Sequence, residues 1–142
     1  MKQLLTSDLI YIKESNAHNA GRGVFAKRDI KNNIIIEKCP TIVVPKDDLS
    51  RLNESVLVTY FFYFGKNKEQ LIIALGFGSI YNHCDNPNAA YKIKPLEKLI
   101  EFKAIKDIKK GSEITINYKN KNSKINRPLW FEAISQTNLE MF

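Results

Sequence analysis

The chain is poor in the residues that build disulfide scaffolds and metal centres: its 142 residues include two cysteines, Cys39 and Cys84, two histidines, His18 and His83, and one tryptophan. Two thiols this far apart make no disulfide framework. A reducing compartment is therefore the expected setting: the cytoplasm, or a host cell or its nucleus if the protein is viral or an effector. No C-x-x-C or H-x-x-x-H spacing is present, and the adjacent His83 and Cys84 would chelate a single ion awkwardly, so no metal is expected. A Cys84 nucleophile based on His83 fares no better, because neighbours in extended backbone point to opposite faces. Long apolar runs are missing too; none approaches the roughly 18 residues that span a bilayer. The N-terminal "MKQLLTSDLIYIKE" breaks its apolar patch at Thr6, Ser7 and Asp8, unlike a secretory signal. Acidic residues are outnumbered, 15 against 22 lysines and arginines, for a net charge of +7. The basic residues are scattered singly apart from "KNKNSKINR" at 119–127, so nucleic acid is not expected as a partner and neither is a membrane.

What is present suits one mainly β domain. Hydrophobic content of 44% and charged content of 26% are ordinary for a globular chain. Short β-branched and aromatic runs at 9–12, 34–44, 57–64, 71–75, 98–105 and 113–118 are separated by Gly, Pro, Asn and Asp turns, which predicts small antiparallel sheets. A hairpin is expected where 91–94 turns through Pro95, Leu96 and Glu97 into 98–105. Helix signals are few: Asp47 or Asp48 as a cap for 49–56, and a turn or two over 129–134. One internal echo stands out. "AKRDIKNNIIIEK" from Ala26 and "AIKDIKKGSEITIN" from Ala104 share an Asp-Ile-Lys turn before an isoleucine-led strand, with Asn33 and Gly111 at matching places. Both residue types tolerate the left-handed conformation of a tight turn.

The densest chemistry lies in "GFGSIYNHCDNPNAAY", 76–91. His83 and Cys84 read equally as core residues with Asn82, Asp85, Asn86 and Asn88 making local turns, or as part of a loop shaped to offer backbone groups to a ligand. Within it, "LGFGSIYNHCDNPNA" resembles the Asn-His-x-x-x-Pro-Asn signature of SET-domain protein methyltransferases. "GRGVFAKRDIKNNIII" is similar to that family's Gly-x-Gly motif, and "AIKDIKKGSEITINY" to its Gly-Glu-Glu-Leu/Ile-Thr-x-x-Tyr motif. The three occur in the family's order and cover roughly 9–118.

The resemblance implies a SET-domain (β-clip) fold of small sheets around a pseudo-knot over 8–118, of the compact stand-alone viral or bacterial type, followed by a tail, 119–142. It implies S-adenosylmethionine as methyl donor and a protein lysine as acceptor, a histone tail being the obvious class. Carried over by position, Ala20, Gly21, Arg22 and Gly23 would meet the methionine part of the donor. Asn82 and His83 would hold its amino group and adenine, and Tyr118 would be the catalytic tyrosine that also touches the donor. Tyr60, Phe62, Tyr81 and Tyr91 are expected as walls of the lysine channel. Ile116 takes the position where aromatic residues limit the number of methyls, so room for di- or trimethylation is expected. Cys84 stands where the family usually has Ser, Ser112 replaces the first Glu, Lys119 follows Tyr118 where glycine is common, and the C-terminal cysteine cluster is absent. Trp130, with Phe131, is then the candidate for covering adenine by stacking. The alternatives are an inactive SET-like peptide- or donor-binding module and a basic β-domain that binds nucleic acid; a monomer or homodimer fits either.

Overall fold

The computed structural model describes residues 3–17, 20–64 and 70–119. Among the described residues nine strands form two sheets. β1 (Ile10–Glu14), β2 (Arg22–Ala26), β6 (Asn82–His83) and β9 (Glu113–Ile116) make one, in the order β1-β2-β9-β6. β3 (Ile35–Val44), β4 (Phe61–Phe64), β5 (Gln70–Ala74), β7 (Ala89–Lys94) and β8 (Leu99–Ala104) make the other, in the order β4-β5-β3-β8-β7. All pairings are antiparallel except β6 with β9. No helix among the described residues is long and apolar enough to cross a membrane.

The core gathers where the sheets face each other. Val24, Ile36, Cys39, Tyr81, Ile100, Phe102, Ile114 and Ile116 are buried there, each large apolar side chain contributing about 1.5–3 kcal/mol by leaving water. β8, flanked on both sides, buries every residue except Lys103, and the Tyr81 ring stacks on Phe102 at 4.3 Å and 17°. The expected hairpin is β7–β8, with Lys94 opposite Leu99 and a 3-10 turn at Pro95–Glu97. Lys98 closes it in the left-handed region, at φ 56°.

Two local expectations give way. Residues 57–59 do not extend: Val56–Thr59 is a 3-10 turn, and only Phe61–Phe64 is strand. The Ser55 hydroxyl accepts the Leu57 N–H, and this local cap outweighs the strand preference of Val56 and Val58. The short helix α1 (Leu49–Asn53) does form, but Asp48 at its start gives no side-chain cap; its carboxylate takes the Arg51 guanidinium at 2.7 Å instead. Residues 129–134 lie outside the described residues.

The internal echo becomes a local two-fold arrangement. Asn33 and Gly111 are both left-handed, at φ 74° and 86°. Ile30 and Ile108 exchange N–H···O bonds of 2.8 and 2.7 Å; Asn33 N–H donates to Ala104 O at 2.9 Å as Gly111 N–H donates to Ala26 O at 2.8 Å. Asp107 accepts the Asn32 N–H and Asp29 accepts the Lys110 N–H, each at 2.8 Å. Each unit thus satisfies the turn of the other.

Candidate active site

The parallel contact between β6 and β9 brings two of the three motif segments together. Asn82 lies opposite Thr115 and His83 opposite Ile116, and the Cys84 N–H donates to Ile116 O at 2.9 Å. A two-residue strand is too short to hold this position through its own ladder, and side chains complete it. The Asn88 amide donates to Glu113 O and accepts the Thr115 N–H, both at 2.9 Å, so a primary amide stands in for a peptide group along β9. The His83 ring accepts the Tyr118 N–H on Nδ1 at 3.0 Å. With Nδ1 used as an acceptor, the neutral ring carries its proton on Nε2, which donates to Asp85 at 2.8 Å.

The third segment joins through Asn82 and Glu113. The Asn82 amide donates to Arg22 O at 3.0 Å and to Glu113 Oε2 at 2.7 Å, while Glu113 Oε1 accepts the Ser15 hydroxyl at 2.6 Å. Gly23 passes directly under this cluster: a Cβ there would collide with Glu113 Oε2 and come within 3.0 Å of the Asn82 amide. Gly21 differs. It is left-handed at φ 66°, exposed, and a Cβ would meet nothing within 4 Å. Its open side leaves the backbone accessible to a ligand, as close approach to the methionine part of a donor requires.

Tyr118 is half-buried against these groups. Its hydroxyl donates to Tyr81 O at 2.6 Å, and its ring lies 5.2 Å from that of His83. Burial, and then Tyr60 and Glu113 nearby, push its phenol above the ordinary tyrosine range. It stays a neutral hydroxyl at physiological pH, suited to orienting a partner and not to taking its proton.

The other expected residues sort by position. Ala20, Gly21, Arg22 and Gly23 meet Asn82 through Arg22. Tyr60 is 37% exposed and near enough to Tyr118 to act on its phenol electrostatically. Phe62 and Tyr91 pack edge to face at 5.0 Å against the core. Tyr81 presents its carbonyl to Tyr118, not its ring, which is buried on Phe102. Ile116 is fully buried. His18, Trp130 and Phe131 lie outside the described residues. Among the described residues no His, Cys, Asp and Glu cluster could hold a metal ion. Cys39 is buried, and burial, with the Glu37 carboxylate adding to it, pushes its thiol up, away from nucleophilic use. Sequence reasoning missed Glu113, Asn88 and Ser15 as parts of the site. Asn88 stood in the quoted motif and could have been found there. Ser15 carries no local signal, since its partner Glu113 is 98 positions away.

Comparisons with known proteins agree with this geometry. The SET domain family matches residues 21–119. A Schizosaccharomyces pombe protein described as a histone-lysine N-methyltransferase, H3 lysine-37 specific, is 32% identical over 79% of this chain and 71% of its own. The crystal structure of a candidate histone methyltransferase from Plasmodium falciparum is 32% identical, covers 82% of this chain and 96% of that one, and superposes with a TM-score of 0.65. A Chaetomium thermophilum polycomb repressive complex 2 chain, in a structure bound to S-adenosylmethionine, shares the fold at 21% identity and a TM-score of 0.68, covering 93% of this chain and 17% of that one. With all three motif segments meeting at one place and this family matched across most of its length, the chain belongs to the SET-domain family.

Proposed function

We propose that this chain is a protein-lysine N-methyltransferase that uses S-adenosylmethionine and acts on a histone. The observation that carries it is the Tyr118 hydroxyl held on Tyr81 O beside the joined Asn82-His83 segment. The exposed Gly21 turn, Arg22 and the amide of Asn82 fit the donor's methionine end, and the Glu113 carboxylate adds the negative charge that a cationic sulfur favours. S-adenosylmethionine, when bound, supplies an electrophilic methyl on a positively charged sulfur.

The chain's own part is to deliver a neutral amine in line with that methyl. Free lysine titrates near 10.4, so deprotonating it at pH 7.4 costs about 4 kcal/mol. Desolvation in an apolar channel lowers that cost, and neutral Tyr118 then orients the amine without acting as its base. Phe62 and Tyr91 are proposed as channel walls with Tyr60 at the mouth, since a lysine stem needs apolar sides and its ammonium is attracted to ring faces. Ile116 in place of a bulky hydroxyl-bearing ring favours di- or trimethylation; only monomethyl product at completion, read by mass spectrometry, would refute that part. Trp130 in the tail 119–142 is proposed to cover adenine, and Trp130→Ala should then weaken donor binding in calorimetry. The location proposed with this reading is the cytoplasm, or a host cell or its nucleus if the protein is viral or an effector.

The test is Tyr118→Phe. It should keep affinity for S-adenosylmethionine and lose about tenfold to a hundredfold or more in turnover on purified histones. An equally active mutant sinks the assignment of Tyr118. A wild-type protein that binds the donor but never turns over would be an inactive SET-like module.

A further inference from the structure

Glu37 belongs to none of the three motifs, yet several unusual local features converge on it. It sits on β3 just after a register shift: Ile35 lies opposite Lys103 and Glu37 opposite Phe102. The extra residue turns Glu37 away from the Glu101 face and onto the face where the Tyr81 ring stacks on Phe102. There its carboxylate accepts the Tyr81 hydroxyl on Oε1 and the Phe77 N–H on Oε2, both at 2.9 Å. The buried Cys39 lies close by, and the Glu37 carboxylate adds to the burial that raises its thiol. Gly76 makes the approach possible, being left-handed at φ 63°, with a would-be Cβ only 2.7 Å from Glu37 Oε2. A carboxylate against a hydrophobic core is costly unless its oxygens are bonded, and here the bonds are supplied by the loop that leads into Asn82.

Tyr81 is therefore tied at both ends. Its hydroxyl is fixed to β3 through Glu37, and its carbonyl receives the Tyr118 hydroxyl at 2.6 Å. We infer that Glu37 is a positioning residue for methyl transfer: it sets the orientation of Tyr81, and through the Tyr81 carbonyl the orientation of the Tyr118 hydroxyl. The inference rests on the methyltransferase reading and adds to it a residue that never touches substrate or donor. Loss of the tie leaves the ring in the core but lets the carbonyl turn, and a displacement of about 1 Å at a reacting centre can cost on the order of a hundredfold in rate.

The experiment compares Glu37→Ala, Glu37→Gln and Tyr81→Phe with the wild type, measuring kcat, KM and donor affinity by calorimetry. Glu37→Ala and Tyr81→Phe should lower kcat by about tenfold or more while donor affinity stays within about threefold. Glu37→Gln should recover most of kcat, because its amide accepts the Phe77 N–H on oxygen and donates to the Tyr81 oxygen. Wild-type kcat in Tyr81→Phe overturns the inference. So does a parallel fall of kcat and donor affinity, or a folded Glu37→Gln as impaired as Glu37→Ala. Should Glu37→Ala fail to fold, Tyr81→Phe decides, since it keeps the ring on Phe102. A wild type that neither binds the donor nor turns over fails the methyltransferase reading itself and takes the inference with it; an active wild type beside an unaffected Tyr81→Phe fails the inference alone.

Discussion

Individual side chains in this site act chiefly as fixed hydrogen-bonding groups, and three weak acids in or near it are kept protonated. Cys39, Tyr81 and Tyr118 all have their protonated forms favoured, in each case first by burial. Such groups keep their protons in the folded chain at pH values where the unfolded chain releases them. The unfolded state then binds fewer protons, and stability falls as pH rises. The decline should begin near the ordinary cysteine value of about 8.5 and steepen above the tyrosine value of about 10. Melting temperatures between pH 8 and 11 should follow this course, with Cys39→Ser delaying the onset; a flat profile would contradict it. Gly23 makes a second residue-scale case. Gly23→Ala forces a methyl group into the Glu113 and Asn82 cluster and should cost about 1–3 kcal/mol in urea denaturation. Donor affinity should fall with it, because the Asn82 amide must move.

At the scale of elements, the paired turns carry a test of their own. A side chain at Gly111 would meet nothing within 4 Å, so the penalty for Gly111→Ala is conformational alone, about 1–2 kcal/mol. Gly111→Asn installs the residue that the equivalent turn uses at Asn33 and should cost less than half as much in the same urea titration; equal losses would show that something other than backbone handedness is at stake. This repeat was legible in the sequence because turn chemistry is local: an Asp-Ile-Lys start and a residue tolerant of positive φ recur at matching places. The β7–β8 hairpin was legible for the same reason. The strand expected at 57–59 was not realised, because a single Ser55 hydroxyl, bonded two residues ahead, outcompetes a modest β preference.

For the whole molecule, charge is the property that bears on partners. With a net charge of +7, a basic histone peptide meets long-range repulsion. Of Asp47, Asp48 and Glu54 around the short helix α1, Asp48 is already paired with Arg51, which limits local compensation. Raising salt from low to physiological ionic strength should therefore raise kcat/KM for a basic peptide by screening that repulsion. A fall instead would mean that local attraction at the mouth dominates.

The sequence by itself determined the class of fold, the repeated turns and the identity of the three motif segments, because alternation, turn residues and short spacings are written within a few positions of one another. It also named Asn82, His83 and Tyr118. Only the tertiary structure decided what they do to each other. The Asn82 amide is held between Arg22 O and Glu113, His83 caps the Tyr118 N–H, and the Tyr118 hydroxyl rests on a carbonyl. Ser15, Glu37 and Glu113 acquire their places through contacts with groups 25 to 98 positions away, beyond the reach of any local pattern. Hydrogen bonds between distant segments depend on how sheets pack and where a bulge re-aims a side chain, and neither is encoded at a single position.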